Sequence, residues 1–154
     1  MNLVTIIIPF YKKKFFFLKT IKSLLNQSYK KFQILIIYDD KNKNDLKFLK
    51  KIKNKKIKLL INRKNLGAGL SRNKGIKSTN TKYIAFCDAD DVWYKDKLKK
   101  QINFMEKNKL DFSHTDYKII NESDEIIGKM NIEKQLVYKD LLKSCDIGLS
   151  TVII

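Results

Sequence analysis

Two acidic clusters hold the side chains best suited to chemistry. Asp39-Asp40 follows the apolar run Phe32 to Tyr38, and Asp88-Ala89-Asp90-Asp91 follows Tyr83 to Cys87. Carboxylates gathered beside an anionic ligand need a cation between them. A hard divalent ion, Mn²⁺ or Mg²⁺, accepts oxygen donors from both sides. If the chain stays near-extended after Cys87, Asp88 and Asp90 point the same way while Ala89 turns aside. One acid could then reach a ribose or the metal while the other coordinates the metal. The same acids would also suit a turn and the N-terminal cap of a helix beginning near Asp96. An Asp-x-Asp triplet is common by chance, so its meaning comes from its place at the end of a buried strand.

The elements that must position these acids follow from periodicity. Leu3 to Ile8 is a short continuous apolar run, as a buried central strand requires. Phe17, Ile21, Leu24 and Leu25 recur at helical spacing, and Phe32 to Tyr38 forms a second strand. A helix over Asp45 to Ile52, strands over Ile57 to Ile61 and Tyr83 to Cys87, and a helix marked by Leu98, Ile102 and Met105 come next. This alternation predicts an α/β fold with a mostly parallel central sheet and helices on both faces. Ligands in such sheets sit at the carboxyl ends of the strands, where Pro9-Phe10-Tyr11 and both acidic clusters lie. Beyond Asp111 the pattern shifts. Phe112 to Ile120 and Glu125 to Met130 read as extended, Tyr138 to Lys143 as a short helix, and Ile147 to Ile154 as a last extended segment.

Composition narrows the classes. The chain has 154 residues and is 44% hydrophobic, with one Pro and five Gly, which suits one ordinary domain and argues against disorder. Cys87 and Cys145 form no CxxC pair, and the single histidine, His114, cannot build a histidine-rich metal site. No stretch is long enough to span a bilayer, and no secretory leader is evident. The expected location is the cytoplasm. Lys and Arg number 33 against 16 Asp and Glu, a net charge of +17. The lysines are spread from Lys12 to Lys143, which reads as a solvated surface with attraction to an anionic membrane as a by-product.

Four ordered motifs carry a resemblance. Thr5-Ile6-Ile7-Ile8-Pro9-Phe10-Tyr11, Tyr38-Asp39-Asp40, Asn65-Leu66-Gly67 through Ser71-Arg72-Asn73-Lys74-Gly75-Ile76, and Tyr83 through Trp93 are similar to segments of family 2 glycosyltransferases. Weaker similarity continues through His114-Thr115-Asp116-Tyr117 to Ser150-Thr151. The resemblance implies a GT-A three-layer α/β sandwich, with residues 1–110 as the nucleotide-binding half and 111–154 as the start of an acceptor-side half. It implies inverting transfer of a sugar from a nucleoside diphosphate sugar, expected to be a UDP-sugar, to an acceptor hydroxyl on a glycan or lipid-linked carrier. The expected setting is bacterial cell-surface glycan synthesis (lipooligosaccharide, capsule or glycoprotein), at the inner face of the plasma membrane. By the same resemblance Pro9 and Tyr11 line the base pocket, Asp40 bonds the nucleobase, and Arg72 lies near the nucleotide. Asp88 lies near ribose or metal, and Asp90 is the principal metal ligand. Lys41-Asn42 and Lys12 depart from the family's usual small residues and Asn beside the base pocket. The family's catalytic base belongs to a later acidic motif, expected beyond Ile154, so the expectation is a domain that binds donor but transfers poorly alone. Asp116 and Asp146 are the candidates within the chain.

Rival readings are weaker. Gly67-Ala68-Gly69 lacks the third glycine of a dinucleotide loop, with Arg72 in its place. A nucleotidyltransferase would need a glycine-rich phosphate loop near the first strand. A nucleic-acid-binding module would leave the ordered acids without purpose, so no specific nucleic acid is expected. Trp93 and His114 read as packing residues that could alternatively face an acceptor, and Cys87 as an inert buried thiol.

Overall fold

In the computed structural model, which describes residues 3–132, 136–143 and 146–154, the first strand is β1 (Val4–Phe10), buried along its length except at Pro9. The chain continues through α1 (Lys14–Leu25), β2 (Phe32–Tyr38), a 3-10 turn over Lys43–Asp45, α2 (Leu46–Lys51), β3 (Ile57–Ile61), α3 (Ala68–Lys77), β4 (Tyr83–Phe86) and α4 (Lys97–Asn108). A hairpin of β5 (Tyr117–Ile120) and β6 (Ile126–Met130) follows, then α5 (Tyr138–Lys143). Cys145 lies outside the described residues.

The main sheet has the order β3-β2-β1-β4, with every pairing parallel. Alternation along β1 divides its side chains between two layers. Val4, Ile6, Ile8 and Phe10 pack against Phe17, Ile21 and Leu24 of α1, Leu46 and Leu49 of α2, and Leu98, Ile102 and Met105 of α4. Ile7 faces the other way, with Leu35, Ile37 and Phe86 against Ile76 of α3 and Val152. The result is the expected three layers. Gly75 is what lets α3 approach, because a Cβ there would lie 2.7 Å from Ile7 Cγ2.

Chain order reverses between β1 and β4, which opens a crevice at their carboxyl ends. Pro9 sits inside a central strand, where its missing N–H would ordinarily break a ladder. Here Ile7 and Pro9 direct their main-chain groups toward β4, since Ile7 O accepts from Cys87 N (3.1 Å), and β4 ends at Phe86 opposite Ile7. No ladder partner is lost at Pro9. The strand can therefore run to Phe10, two residues past the expected end.

Two segments differ from the sequence expectation. Ile147 to Ile154 does not extend throughout: Leu149–Thr151 forms a 3-10 turn in which Thr151 N and Oγ1 both donate to Gly148 O (2.9 and 2.6 Å). The chain then runs antiparallel beside β4, exchanging bonds between Ile84 and Ile154 (2.7 and 2.9 Å). On its other side Ile153 exchanges bonds with Ser113 (both 2.9 Å). Phe112 to Ile120 is therefore divided between two partners, and only Tyr117–Ile120 joins the hairpin. Gln101 fixes this junction, donating through Nε2 to Ser113 O, Ser113 Oγ and Thr151 O (3.1, 2.9 and 2.9 Å).

Candidate functional site

At the carboxyl ends of β1 and β2 and beside the loop after β4 lies a cavity of about 480 Å³, within the size range of small-ligand sites. Five of the residues singled out from the sequence line it: Pro9, Tyr11, Arg72, Asp88 and Asp90. Lys13, Asp39, Asn65 and Gly67 line it as well. Asp40, Asp116 and Asp146 are not among the lining residues. Asp40 Oδ1 accepts from Asn42 N (3.0 Å), closing a small turn, and Asp116 Oδ1 accepts from Ile132 N (2.9 Å).

The acid after β2 that faces the cavity is Asp39. Its side chain is buried (2% exposed) and works as a loop anchor. Oδ1 accepts from Asn62 Nδ2 and Leu66 N, and Oδ2 accepts from Gly67 N, each at 2.8 Å. Its carbonyl accepts from Asn65 Nδ2 (2.7 Å). Gly67 has φ +82, a conformation open to glycine and costly for other residues, and it begins α3. Asp39 thus holds the turn that launches α3 and sets the position of Arg72 one turn in.

Asp88 and Asp90 both face the cavity while Ala89 is buried, as expected, but a turn brings this about rather than an extended chain. Asp91 N donates to Asp88 O (3.2 Å), and Thr20 Oγ1 donates to Ala89 O (3.0 Å), pulling Ala89 inward. Asp88 N donates to Ser150 Oγ (2.9 Å), so the 3-10 turn over Leu149–Thr151 braces the acid loop from 62 residues away. Each carboxylate meets one protein cation. Arg72 Nη2 lies 2.5 Å from Asp88 Oδ1, and Lys13 Nζ lies 2.7 Å from Asp90 Oδ2. Protein packed around the Asp91 carboxyl pushes its pKa up; a bond with Ser150 opposes this, and Asp88 and Asp90 add to the rise.

Beneath the loop Trp93 is buried in the core, and the Lys97 Nζ sits 3.8 Å over its ring. That amine is buried without a hydrogen-bond partner, and burial lowers its pKa to about 7. Cys87 is fully buried, and burial pushes its thiol pKa up, which suits an inert packing role. His114 packs near Phe112, ring centroids 6.2 Å apart, away from the cavity wall. Tyr11 lines the cavity with 46% of its surface exposed, and Lys12 Nζ sits 5.0 Å over its ring.

The donor set fits a divalent ion shared with a ligand. Among the described residues no group of three or more His, Cys, Asp or Glu is placed to hold a metal alone. Two half-buried carboxylates lining one cavity are what Mg²⁺ or Mn²⁺ takes when phosphate oxygens and water complete its shell.

The chain is 41% identical to an uncharacterized glycosyltransferase of Rickettsia conorii over 97% of its own length and 25% of that protein's. It is 37% identical to the UDP-Glc:alpha-D-GlcNAc-diphosphoundecaprenol beta-1,3-glucosyltransferase WfgD of Escherichia coli over 99% of its length and 60% of that protein's. It thus spans from a quarter to about three fifths of these relatives. Among solved structures, S. aureus TarS 1-349 in complex with UDP-GlcNAc superimposes with a TM-score of 0.71 at 22% identity, covering 84% of this chain and 38% of that one. The mannosyltransferase PcManGT of Pyrobaculum calidifontis, in complex with GDP-Man and Mn²⁺, gives 0.64 at 15% identity, covering 79% and 36%. Both likenesses speak for the GT-A fold alone. The family model described as "Glycosyl transferase family 2" matches residues 5–151, and the chain belongs to that family.

Proposed function

We propose that this chain binds a nucleoside diphosphate sugar in the cavity and contributes the donor side of an inverting glycosyl transfer. The observation that carries the reading is the convergence of Asp88 and Asp90 with Tyr11 and Arg72 on one cavity, at the reversal point of a parallel sheet. Tyr11 offers its exposed ring to the base and Pro9 leaves its wall smooth; Asp40, outside the cavity lining and bonded to Asn42 N, is assigned to the base by the family resemblance alone. Asp90, with Asp88 beside it, would hold Mn²⁺ or Mg²⁺ against the diphosphate. When bound, that ion stabilises charge on the departing diphosphate. Arg72 holds Asp88 in orientation. UDP is the nucleotide favoured by the relatives' names. Those names also favour a lipid-linked acceptor and a cell-surface glycan product; peripheral attachment to an anionic membrane is supported by the net charge of +17 alone.

Calorimetric titration with UDP, GDP, CDP and dTDP sugars, with and without Mn²⁺, tests the donor reading. We expect Mn²⁺-dependent binding with preference for UDP, weakened at least tenfold by Asp90→Asn with the fold intact. Equal affinity of that variant in Mn²⁺ would overturn the metal role.

A second reading, donor binding without transfer by this chain alone, is favoured by one observation. Among the described residues the cavity's carboxylates are Asp39, Asp88 and Asp90. The first is committed to its loop and the other two to cations, so none stands ready to take an acceptor proton. Loss of a general base costs about 10²–10⁴ in rate. Release of UDP from a UDP-sugar with an acceptor extract, dependent on Asp116, would overturn it.

A further inference from the structure

Lys13 is one of 33 basic residues, and no motif distinguishes it in the sequence. The fold places it on the cavity wall with its ammonium 2.7 Å from Asp90 Oδ2. The backbone works to put it there. Lys12 takes a left-handed conformation (φ 52) that non-glycine residues avoid, and this turns the chain out of β1 so that Lys13 becomes the first residue before α1.

The cavity's two cations are held differently. The Arg72 side chain is 18% exposed, its planar guanidinium fixed on Asp88. The Lys13 side chain is 49% exposed, on a flexible stem with a single carboxylate partner. An exposed pair of that kind contributes little to stability and separates readily. A divalent ion that takes Asp90 Oδ2 must displace the Lys13 ammonium, and the released charge then lies beside whatever anion the metal binds.

We infer that Lys13 is an exchangeable counterion, pairing with Asp90 until a divalent ion takes that carboxylate and then pairing with the diphosphate of the ligand. The exchange leaves neither Asp90 nor Lys13 without an opposite charge, so metal and diphosphate enter without stranding either group. It also couples the two ligands, because each makes the other's partner available. This rests on the reading of the cavity as a nucleoside diphosphate site.

The test separates the two claims. Mn²⁺ binding alone, read from the EPR signal of free Mn²⁺, and calorimetry of UDP and uridine in saturating Mn²⁺ are compared for the unchanged chain, Lys13→Met and Lys13→Arg. Lys13→Met is expected to bind Mn²⁺ about two- to fivefold tighter, because a competitor for Asp90 is gone. It should bind UDP about tenfold weaker, because a charge-assisted contact is lost, with uridine unaffected. Lys13→Arg should restore most of the UDP affinity. Thermal unfolding within about 2 °C of the parent excludes a folding defect at so exposed a site; if Lys13→Met unfolds, Lys13→Gln serves in its place. Mn²⁺-dependent UDP binding that Lys13→Met leaves intact, or equal losses for UDP and uridine, would overturn the role of Lys13 alone. Absence of Mn²⁺-dependent UDP binding in the unchanged chain would overturn the reading of the cavity itself.

Discussion

Replacing Asp39 by asparagine tests whether the adjacent acids after β2 have separate duties. The Asp39 carboxylate accepts three bonds of 2.8 Å, two of them from the main chain of Leu66 and Gly67. Asparagine can keep its oxygen toward Asn62 and Leu66, but its NH₂ then confronts Gly67 N–H, donor against donor. One charge-assisted bond disappears, the other two become neutral, and a main-chain N–H beside α3 loses its acceptor. Together these cost about 2–4 kcal/mol. A domain of this size has ~5–15 kcal/mol in hand, so the variant should still fold at 25 °C with a clearly lower urea midpoint. Asp40→Asn, whose oxygen can go on accepting from Asn42 N, should shift stability by less than about 0.5 kcal/mol and act on nucleotide affinity instead. Equilibrium urea unfolding with hydrogen exchange at Leu66 and Gly67 reads both effects. An Asp39→Asn variant within 0.5 kcal/mol of the parent, with those amides still protected, would refute the anchor role.

Gly75→Ala should destabilise despite gaining about 1 kcal/mol of helix propensity, because the new Cβ meets the stiff Ile7 side chain at 2.7 Å. A net loss of about 1–2 kcal/mol is expected from overpacking, and a rise in the urea midpoint would contradict it. Lys97 has its folded pKa lowered to about 7 from 10.5, so between those values the unfolded chain binds a proton that the folded chain does not. Its contribution is therefore an upward slope of stability from about pH 7 to 10.5, with the full penalty present below pH 7. Attraction of the ammonium to the Trp93 ring returns part of that penalty, so Lys97→Met should stabilise by ~1–4 kcal/mol at pH 6 and remove the slope. A variant less stable than the parent at pH 6 would show that the amine has a partner. Finally, a net charge of +17, with no helix among the described residues long and apolar enough to cross a membrane, predicts co-sedimentation with anionic vesicles. Release is expected at about 0.5 M NaCl, where the Debye length is a few ångströms. Salt-insensitive association, or tight sequence-dependent binding of duplex DNA, would point to another surface chemistry.

Much of the frame was legible because it depends on patterns only a few residues long. Apolar runs too short for helices and bounded by polar residues announce buried parallel strands, and a parallel sheet fixes the end at which a ligand can sit. The sequence alone therefore puts Asp88 and Asp90 at the ligand-bearing end of the sheet, where both line the cavity. What could not be read depends on partners distant in the chain. Adjacent acids such as Asp39 and Asp40 are equivalent in composition. What divides them is the loop over residues 62–67, whose donors converge on Asp39 alone. The turn that presents Asp88 and Asp90 was not visible either, since its brace comes from Ser150 and its inward pull from Thr20. Lys13 is indistinguishable among lysines until the left-handed Lys12 aims it. Residues 152–154 offered only an apolar run, and their place beside β4 comes from main-chain bonds to Ile84 and Ser113. Local periodicity sets which segments are strands and helices. Which polar group answers which is settled only when the folded chain brings donors and acceptors within about 3 Å.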